Sequence, residues 1–269
     1  MEPVILFRPD FTNEQELDVA KKYLPVVTRR SCCKDQLVIC RYSALPYYSE
    51  LQQDLKFNGC EMINSHIQHR WIANFEYYDE LKEFTPETWD DNTFPYANDG
   101  KFVVKGRTNS RKHAWQRMMF SENKRDAARI AAELMDDPMI SEQGVIYRRF
   151  VPLKVLEVGM NGLPFANEYR LFYLGSKRLC CAYYWGIAEE DVINNAKITQ
   201  EGLDFADKIA KIASKYVNFF VVDVAEKEDG GWILVELNDG QQSGLSCNDP
   251  DVFYDNLAEG ITVWQKKIE

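Results

Sequence analysis

Apolar and polar residues along this chain alternate in short blocks, and the blocks change character partway. Val4–Phe7 is a short apolar run that reads as a strand. Thr12-Asn13-Glu14-Gln15 has the form of a capping box, opening a helix that runs to about Leu24. Leu37–Cys40 repeats the strand signal, and Glu61–Ile63 reads as a third strand. Tyr47–Phe57 is amphipathic, with Leu51 and Leu55 four apart, and His66–Phe75 reads as a further helix. Strands alternating with helices predict a small α/β unit over residues 1–80.

Leu81–Thr88 reads as a connector, because Pro86 in the polar run Thr85-Pro86-Glu87-Thr88 ends what precedes it. Phe102-Val103-Val104 is a strand that closes on Lys105, and Gly106–His113 is a polar loop. Lys124–Met135 is a helix, with Ala128, Ala131, Ala132 and Met135 expected on one face. Strand signals follow at Val145–Val151, Val155–Val158, Tyr169–Leu174 and Leu179–Tyr184, with hairpin turns at Asn161-Gly162 and Gly175-Ser176. Leu203, Ala206, Ile209, Ala213 and Tyr216 mark one helix face. Phe219–Val224 and Trp232–Leu237 are strands joined through Glu228-Asp229-Gly230-Gly231, and Asp249-Pro250 opens a terminal helix to about Lys267. Residues 81–269 therefore read as α+β, an antiparallel sheet with helices.

Composition narrows the class. With 45% hydrophobic residues in 269, the chain can bury a sizeable core, which excludes a disordered tail or a coiled coil. No apolar run approaches the roughly 20 residues of a membrane span. The start, Met1-Glu2-Pro3, lacks the basic opening of a signal peptide, so a cytoplasmic protein with no membrane partner is expected. Seven cysteines, in two adjacent pairs and three single positions, form neither a disulfide framework nor a zinc knuckle. The net charge of −10 disfavours nucleic acid as a partner. Yet residues 101–125 hold eight Lys or Arg against the single acid Glu122, which suits either a polyanion site or a solvated basic face.

Two constellations carry candidate chemistry. Asp223 closes the apolar run Phe219–Val222, and Glu236 ends the next strand with Asn238 two residues beyond. If pairing extends to Ala225, Asp223 and Glu236 are cross-strand neighbours, and Glu236 shares a face with Asn238. Three hard oxygen donors on one face suit Mg²⁺, and acids in strands this apolar are costly unless paired or metal-bound. The second constellation is cationic. Lys105 ends a buried-looking strand, Arg148-Arg149 interrupts another with only one of the two facing inward, and Glu168 shares a face with Arg170. Lysine supplies a point charge and arginine a fork for phosphate oxygens. P-loop, dinucleotide and protein-kinase motifs are absent. His66 and His69 are three apart with no further ligands for a zinc pair, and His113 lies in the basic loop.

In this order the motifs resemble the ATP-grasp superfamily. The elements are Phe102–Lys105, Val145–Phe150, Asn167-Glu168-Tyr169-Arg170, and Val222-Asp223-Val224 with Val235-Glu236-Leu237-Asn238. More narrowly the chain resembles the clade named for two arginines and a lysine, and the related eukaryotic chaperone that assembles a translation initiation factor. The loop Lys105–Trp115 is similar to that group's lysine-and-serine loop. The resemblance covers residues 81–245 and implies two α+β subdomains gripping ATP, after a pre-ATP-grasp-like unit at 1–80. It implies that Lys105, one of Arg148 and Arg149, Glu168 and Arg170 bind the nucleotide, with Lys105 and Arg170 acting in catalysis. It implies that Asp223, Glu236 and Asn238 hold Mg²⁺. The implied reaction phosphorylates a carboxylate with ATP for attack by an amine or other nucleophile, with a peptide or protein among the candidate substrates. Two other readings stand beside it: an assembly chaperone or protein-binding module with little turnover, and a nucleic-acid-modifying ligase. One glycine, Gly106, replaces the glycine-rich flap of many such ligases, and no acid stands at the adenine hinge in Tyr147–Phe150. After Asn238 the usual proline-containing turn becomes Asp239–Gly244, where Asp239 is either a turn residue or a further contact.

Overall fold

The computed structural model describes residues 1–8 and 14–268, with side chains through Lys266. Thr12 and Asn13 of the expected capping box lie outside the described residues. The first unit runs β1 (Glu2–Leu6), α1 (Glu14–Tyr23), β2 (Val26–Val27), β3 (Gln36–Cys40), α2 (Tyr48–Phe57), β4 (Glu61–Met62) and α3 (His66–Ala73). Its four strands form a parallel sheet in the order β2-β1-β3-β4, as the alternation of strands and helices predicts. A capping box does start α3: Ser65 Oγ accepts from Gln68 N at 3.2 Å and Gln68 Oε1 from Ser65 N at 2.9 Å. The parallel strands are apolar on both sides because both are covered. Val4, Leu6 and Val38 pack on Leu51 and Leu55 of α2, while Ile5, Leu37 and Ile39 join the core of the second unit.

The second unit contains three antiparallel sheets, where the sequence pattern suggests one. After α4 (Tyr78–Leu81) come β5 (Thr88–Trp89), β6 (Phe102–Gly106), α5 (Trp115–Met118), β7 (Phe120–Ser121), α6 (Lys124–Leu134), α7 (Pro138–Gln143) and β8 (Val145–Arg149). These strands make a small sheet, β5-β8-β6-β7, backed by α6. The buried face of α6 is Ala127, Ile130, Ala131 and Leu134, whereas Ala128, Ala132 and Met135 are exposed. Alanine weighs little in burial, so Ile130 and Leu134 orient the helix, and the expected face is corrected by one position. The strand expected to reach Val151 stops at Arg149, because Pro152 has no N–H with which to continue a ladder.

The turn at Asn161-Gly162, both at positive φ (55° and 71°), joins β9 (Val155–Val158) to β10 (Pro164–Ala166), a three-residue strand too short to signal itself. The large sheet is built from β11 (Glu168–Leu174), β12 (Lys177–Tyr183), β13 (Phe219–Glu226) and β14 (Trp232–Asp239), in the order β12-β11-β13-β14. The remaining helices are α8 (Glu190–Asn195), α9 (Gln200–Ala213) and α10 (Pro250–Ile268). One sheet face, with Leu171, Tyr173, Phe220 and Val222, packs on α9 and on Trp71 and Leu81 from the chain around α3 and α4. The other face, with Phe172, Leu174, Phe219 and Val221, packs on Phe253, Leu257 and Ile261 of α10 and on the parallel sheet. Among the described residues, no helix is long and apolar enough to cross a membrane.

Candidate functional site

Strand alternation carries the second face of the large sheet beyond its apolar part. Two residues along β11 from Phe172 stands Arg170, and two along β13 from Val221 stands Asp223. Register makes neighbours of them: Arg170 pairs with Asp223, and Asp223 with Glu236. The Arg170 guanidinium grips the Asp223 carboxylate at both ends, Nε to Oδ1 at 2.9 Å and Nη2 to Oδ2 at 2.7 Å. Its third nitrogen donates to the Gly244 carbonyl at 2.9 Å. Burial works against the charge of Arg170, but Asp223 beside it holds its pKa above the ordinary arginine value.

The small sheet faces this cluster. Val103 on β6 pairs with Arg148 on β8, so Lys105 and Arg148 share the face that looks across the cleft. Lys105 Nζ forms an ion pair with Glu236, bridging the two sheets. Arg148 donates to the Val235 carbonyl and, at 2.6 Å, to Thr85 Oγ1. Burial raises the pKa of Glu236, yet Lys105 and Lys112 more than reverse that and hold it well below the usual carboxylate range. Arg149 points to the opposite side, as adjacency on a strand requires. Its guanidinium lies 4.5 Å from the Phe102 ring centre and donates to the Asn98 carbonyl at 3.0 Å. Of the two arginines left open by the sequence, Arg148 joins the cluster and the Arg149 guanidinium does not.

Asn238 Nδ2 donates to Asp223 Oδ2 at 3.1 Å and to Glu236 Oε1 at 3.2 Å, so both carboxylates converge on the end of one amide. Turning that amide over would present its oxygen to the same point, giving three hard oxygen donors of the kind Mg²⁺ takes. These residues thus fit a divalent cation, although among the described residues no group of three or more His, Cys, Asp or Glu side chains could hold one. Glu168 lies on the same sheet face, 4% exposed. Burial pushes its carboxyl up to about 7, against the pull of Lys112 and with the push of Asp223 and Glu236.

Two residues acquire a place that the sequence does not reveal. Lys112, from the loop after β6, donates to the Tyr184 hydroxyl at 2.6 Å, with its ammonium 4.1 Å from that ring's centre. Tyr184 also carries Arg170 on its ring, at 4.7 Å. Asp239 turns away: it follows Asn238 on the strand and faces the other side, where it accepts from Asn64 Nδ2 at 2.8 Å and the Tyr48 hydroxyl at 3.1 Å. His69 Nδ1 lies 3.1 Å from the same carboxylate and His69 stacks on Tyr48, so Asp239 joins the two units of the chain.

Between the sheets lies a cavity of about 410 Å³. Val103, Phe150, Leu153, Ile233 and Leu163 make an apolar wall, and Lys105, Lys112, Arg148, Glu168 and Glu236 make a charged end. A concave cavity that joins an apolar wall to convergent charged groups is the usual form of a small-ligand site.

Comparison with known proteins agrees with this architecture. A RimK domain protein ATP-grasp from Sphaerobacter thermophilus superposes with a TM-score of 0.61 at 14% identity, covering 96% of this chain and 99% of that one. The ATP-grasp ligase PsnB, in complex with minimal precursor, Mg and ADP, gives 0.57 at 12% identity, covering 98% of each chain. The D-alanine–D-alanine ligase of Bacillus anthracis, in complex with ATP, gives 0.58 at 11% identity and covers 100% of each chain. At these identities the likeness is one of fold. No curated protein matches the chain in sequence. Residues 93–257, more than half of the chain and all of the cleft from β6 to β14, match one sequence family, and this protein belongs to it: the ATP-grasp domain, family 3 of the clade named for two arginines and a lysine.

Proposed function

We propose that this protein is a Mg²⁺-ATP-dependent ligase that activates a carboxylate as an acyl phosphate for attack by an amine or other nucleophile, acting in the cytoplasm. The observation that carries this reading is the clustering of Lys105 and Arg170 with Asp223, Glu236 and Asn238, beside a cavity whose charged end is lined by Lys105, Lys112, Arg148, Glu168 and Glu236. The adenine ring would lie against Val103, Phe150 and Ile233, with the phosphates directed to Lys105, Lys112 and Arg148. Asp223, Glu236 and Asn238 would hold Mg²⁺, which supplies charge neutralisation on the phosphate oxygens when bound. Phosphoryl transfer asks the protein for position and electrostatic complementarity rather than covalent chemistry, and fixed cations in a low-dielectric cleft provide both. Arg170, held by Asp223 and Gly244, would meet the charge that grows on the transferring group. The unit at 1–80 abuts the segment Asp239–Gly244 through Arg41, Tyr48 and His69, and would frame the acceptor.

The experiment is calorimetric titration of the full chain with Mg²⁺ and AMPPNP, repeated on Glu236→Gln and Asn238→Ala. The wild type should bind, and each variant should lose about tenfold or more in affinity, the worth of one charged contact. Wild-type affinity in both variants would remove the metal assignment. Incubation with ATP and pooled amino acids or peptides should then release ADP only when acceptor and nucleophile are both present. Tight binding with no such release would assign a binding module instead.

A further inference from the structure

The four cations of the cleft are not held alike. Arg170 is committed to Asp223, Lys105 to Glu236, and Arg148 to a backbone carbonyl and a threonine hydroxyl. Lys112 instead donates to a neutral phenol, Tyr184. It lies above that ring at 4.1 Å and near the Trp185 ring at 4.9 Å. Like Arg148 it can turn to an arriving phosphate without breaking an ion pair, but it alone of the four is held by both the hydroxyl and the ring of one tyrosine.

Tyr184 follows β12 directly. Its backbone N–H donates to the Glu168 carbonyl at 2.9 Å, which ties it to the start of β11. Its ring centre lies 4.7 Å from the Arg170 guanidinium carbon as well as 4.1 Å from the Lys112 ammonium. One electron-rich ring thus holds two like charges that would otherwise repel. Lys112 reaches it from a loop anchored on the small-sheet side, where Arg111 pairs with Asp137 and Thr108 donates to Gln143. The contact between Lys112 and Tyr184 therefore joins this loop to the large sheet across the mouth of the charged end.

We infer that Tyr184 is a positioning residue that holds Lys112 beside Arg170, so that both cations meet the terminal phosphates of a bound nucleotide. This rests on the proposed reading of the cleft as an ATP site. The hydroxyl fixes the ammonium at a set distance, and the ring stabilises the pair of charges while the cleft is empty of phosphate. With the base placed on the apolar wall, Lys112 stands at the charged end of the cavity, so the effect is expected at the phosphates beyond the first.

The test compares two probes, AMPPNP and AMP, each titrated with Mg²⁺ into the full-length wild type, Tyr184→Phe, Tyr184→Ala, Lys112→Ala and the double variant Tyr184→Phe/Lys112→Ala. Tyr184→Phe should weaken AMPPNP by about tenfold, the worth of a hydrogen bond to a charged group. Tyr184→Ala should weaken it further, since the ring is lost too. AMP affinity should stay within about twofold throughout, as for substitutions away from a contact. Tyr184→Phe should add little to Lys112→Ala, because both remove one interaction. Unchanged AMPPNP affinity in Tyr184→Phe, an equal loss for AMP, or full additivity in the double variant would each overturn the inference while leaving the ATP reading intact. A wild type that binds neither probe would overturn the ATP reading and this inference with it. Tyr184→Phe keeps the packing of the ring, so it should melt as the wild type does, and an equal loss of AMP binding at an unchanged melt is the result that counts against the inference.

Discussion

One face of the large sheet is two surfaces. Along β11 and β13 the same pleat presents Phe172, Leu174, Phe219 and Val221 at one end and Glu168, Arg170 and Asp223 at the other. Burial does not separate them, since Phe219 and Asp223 are both fully buried. What separates them is the cover. The apolar end lies under α10 and the parallel sheet, while the charged end looks across a cavity to Lys105 and Arg148. The apolar end is stable through non-directional burial. The charged end is tolerated because Arg170 is paired with Asp223 and because burial favours the neutral form of Glu168, and apolar residues of similar volume would serve stability as well or better. A sheet that keeps charges where it could keep a core is specified for something other than folding.

Phe219→Ala and Asp223→Ala test that difference with the largest expected effects. Each should cost about 3–5 kcal/mol in chemical denaturation, the first by leaving a cavity and the second by leaving Arg170 buried without its carboxylate. They should part in binding. The folded fraction of Phe219→Ala should hold Mg²⁺-AMPPNP as the wild type does, and Asp223→Ala should not. Equal loss of binding in both would mean that the two ends form one rigid unit, without division of labour.

A pH titration of stability sharpens the comparison within the charged end. With its carboxyl raised from 4.5 to about 7, Glu168 keeps a proton in the folded protein that the unfolded chain has already released. Stability should therefore fall as pH rises between those values, with no penalty below the range and the full penalty above it. Glu168→Gln should remove the slope and be more stable than the wild type at pH 8 by on the order of 3 kcal/mol. Parallel stability curves for the two proteins between pH 4 and 8 would show that the Glu168 carboxyl titrates alike in the folded and unfolded chain.

The charged end was more legible in the sequence than its surroundings, for physical reasons. Asp223 and Glu236 flank a turn containing Gly230-Gly231, so a period of two and a short loop place them together, and the register of β13 on β14 does pair them. The α/β pattern of the first eighty residues and the α+β pattern of the rest follow from the same periodicities. Lys112 was not legible as a member of the cluster, because a loop has no period and its contact with Tyr184 spans seventy-two residues. Nor does the sequence show that Trp71 and Leu81 pack on the large sheet, since an apolar face does not name its partner. Asp239 sits beside Asn238 in sequence but serves the junction with Tyr48, Asn64 and His69, a distinction that only the strand's orientation makes.

Arg148 and Arg149 are the smallest comparison and the cleanest, because they are adjacent, equally charged and on one strand. Strand geometry sends them to opposite faces, and register with Val103 puts Arg148 on the side of Lys105. Arg149 instead stacks its guanidinium near Trp89 and Phe102, at 5.1 and 4.5 Å, and donates to the carbonyls of Asn98 and Asp99. Its interactions fasten the chain before β6 to β8, and its guanidinium is committed to those partners rather than to the Lys105–Glu236 cluster. Arg148→Ala should then weaken Mg²⁺-AMPPNP by about tenfold, through loss of a charged phosphate contact. Arg149→Ala should change that affinity by no more than about twofold and cost about 1 kcal/mol of stability from lost stacking and hydrogen bonds. Lysine in place of Arg148 should recover part of the binding, since the charge returns without the fork. Equal losses of affinity on alanine substitution at both positions would mean that net positive charge near the cleft matters more than which face the side chain occupies.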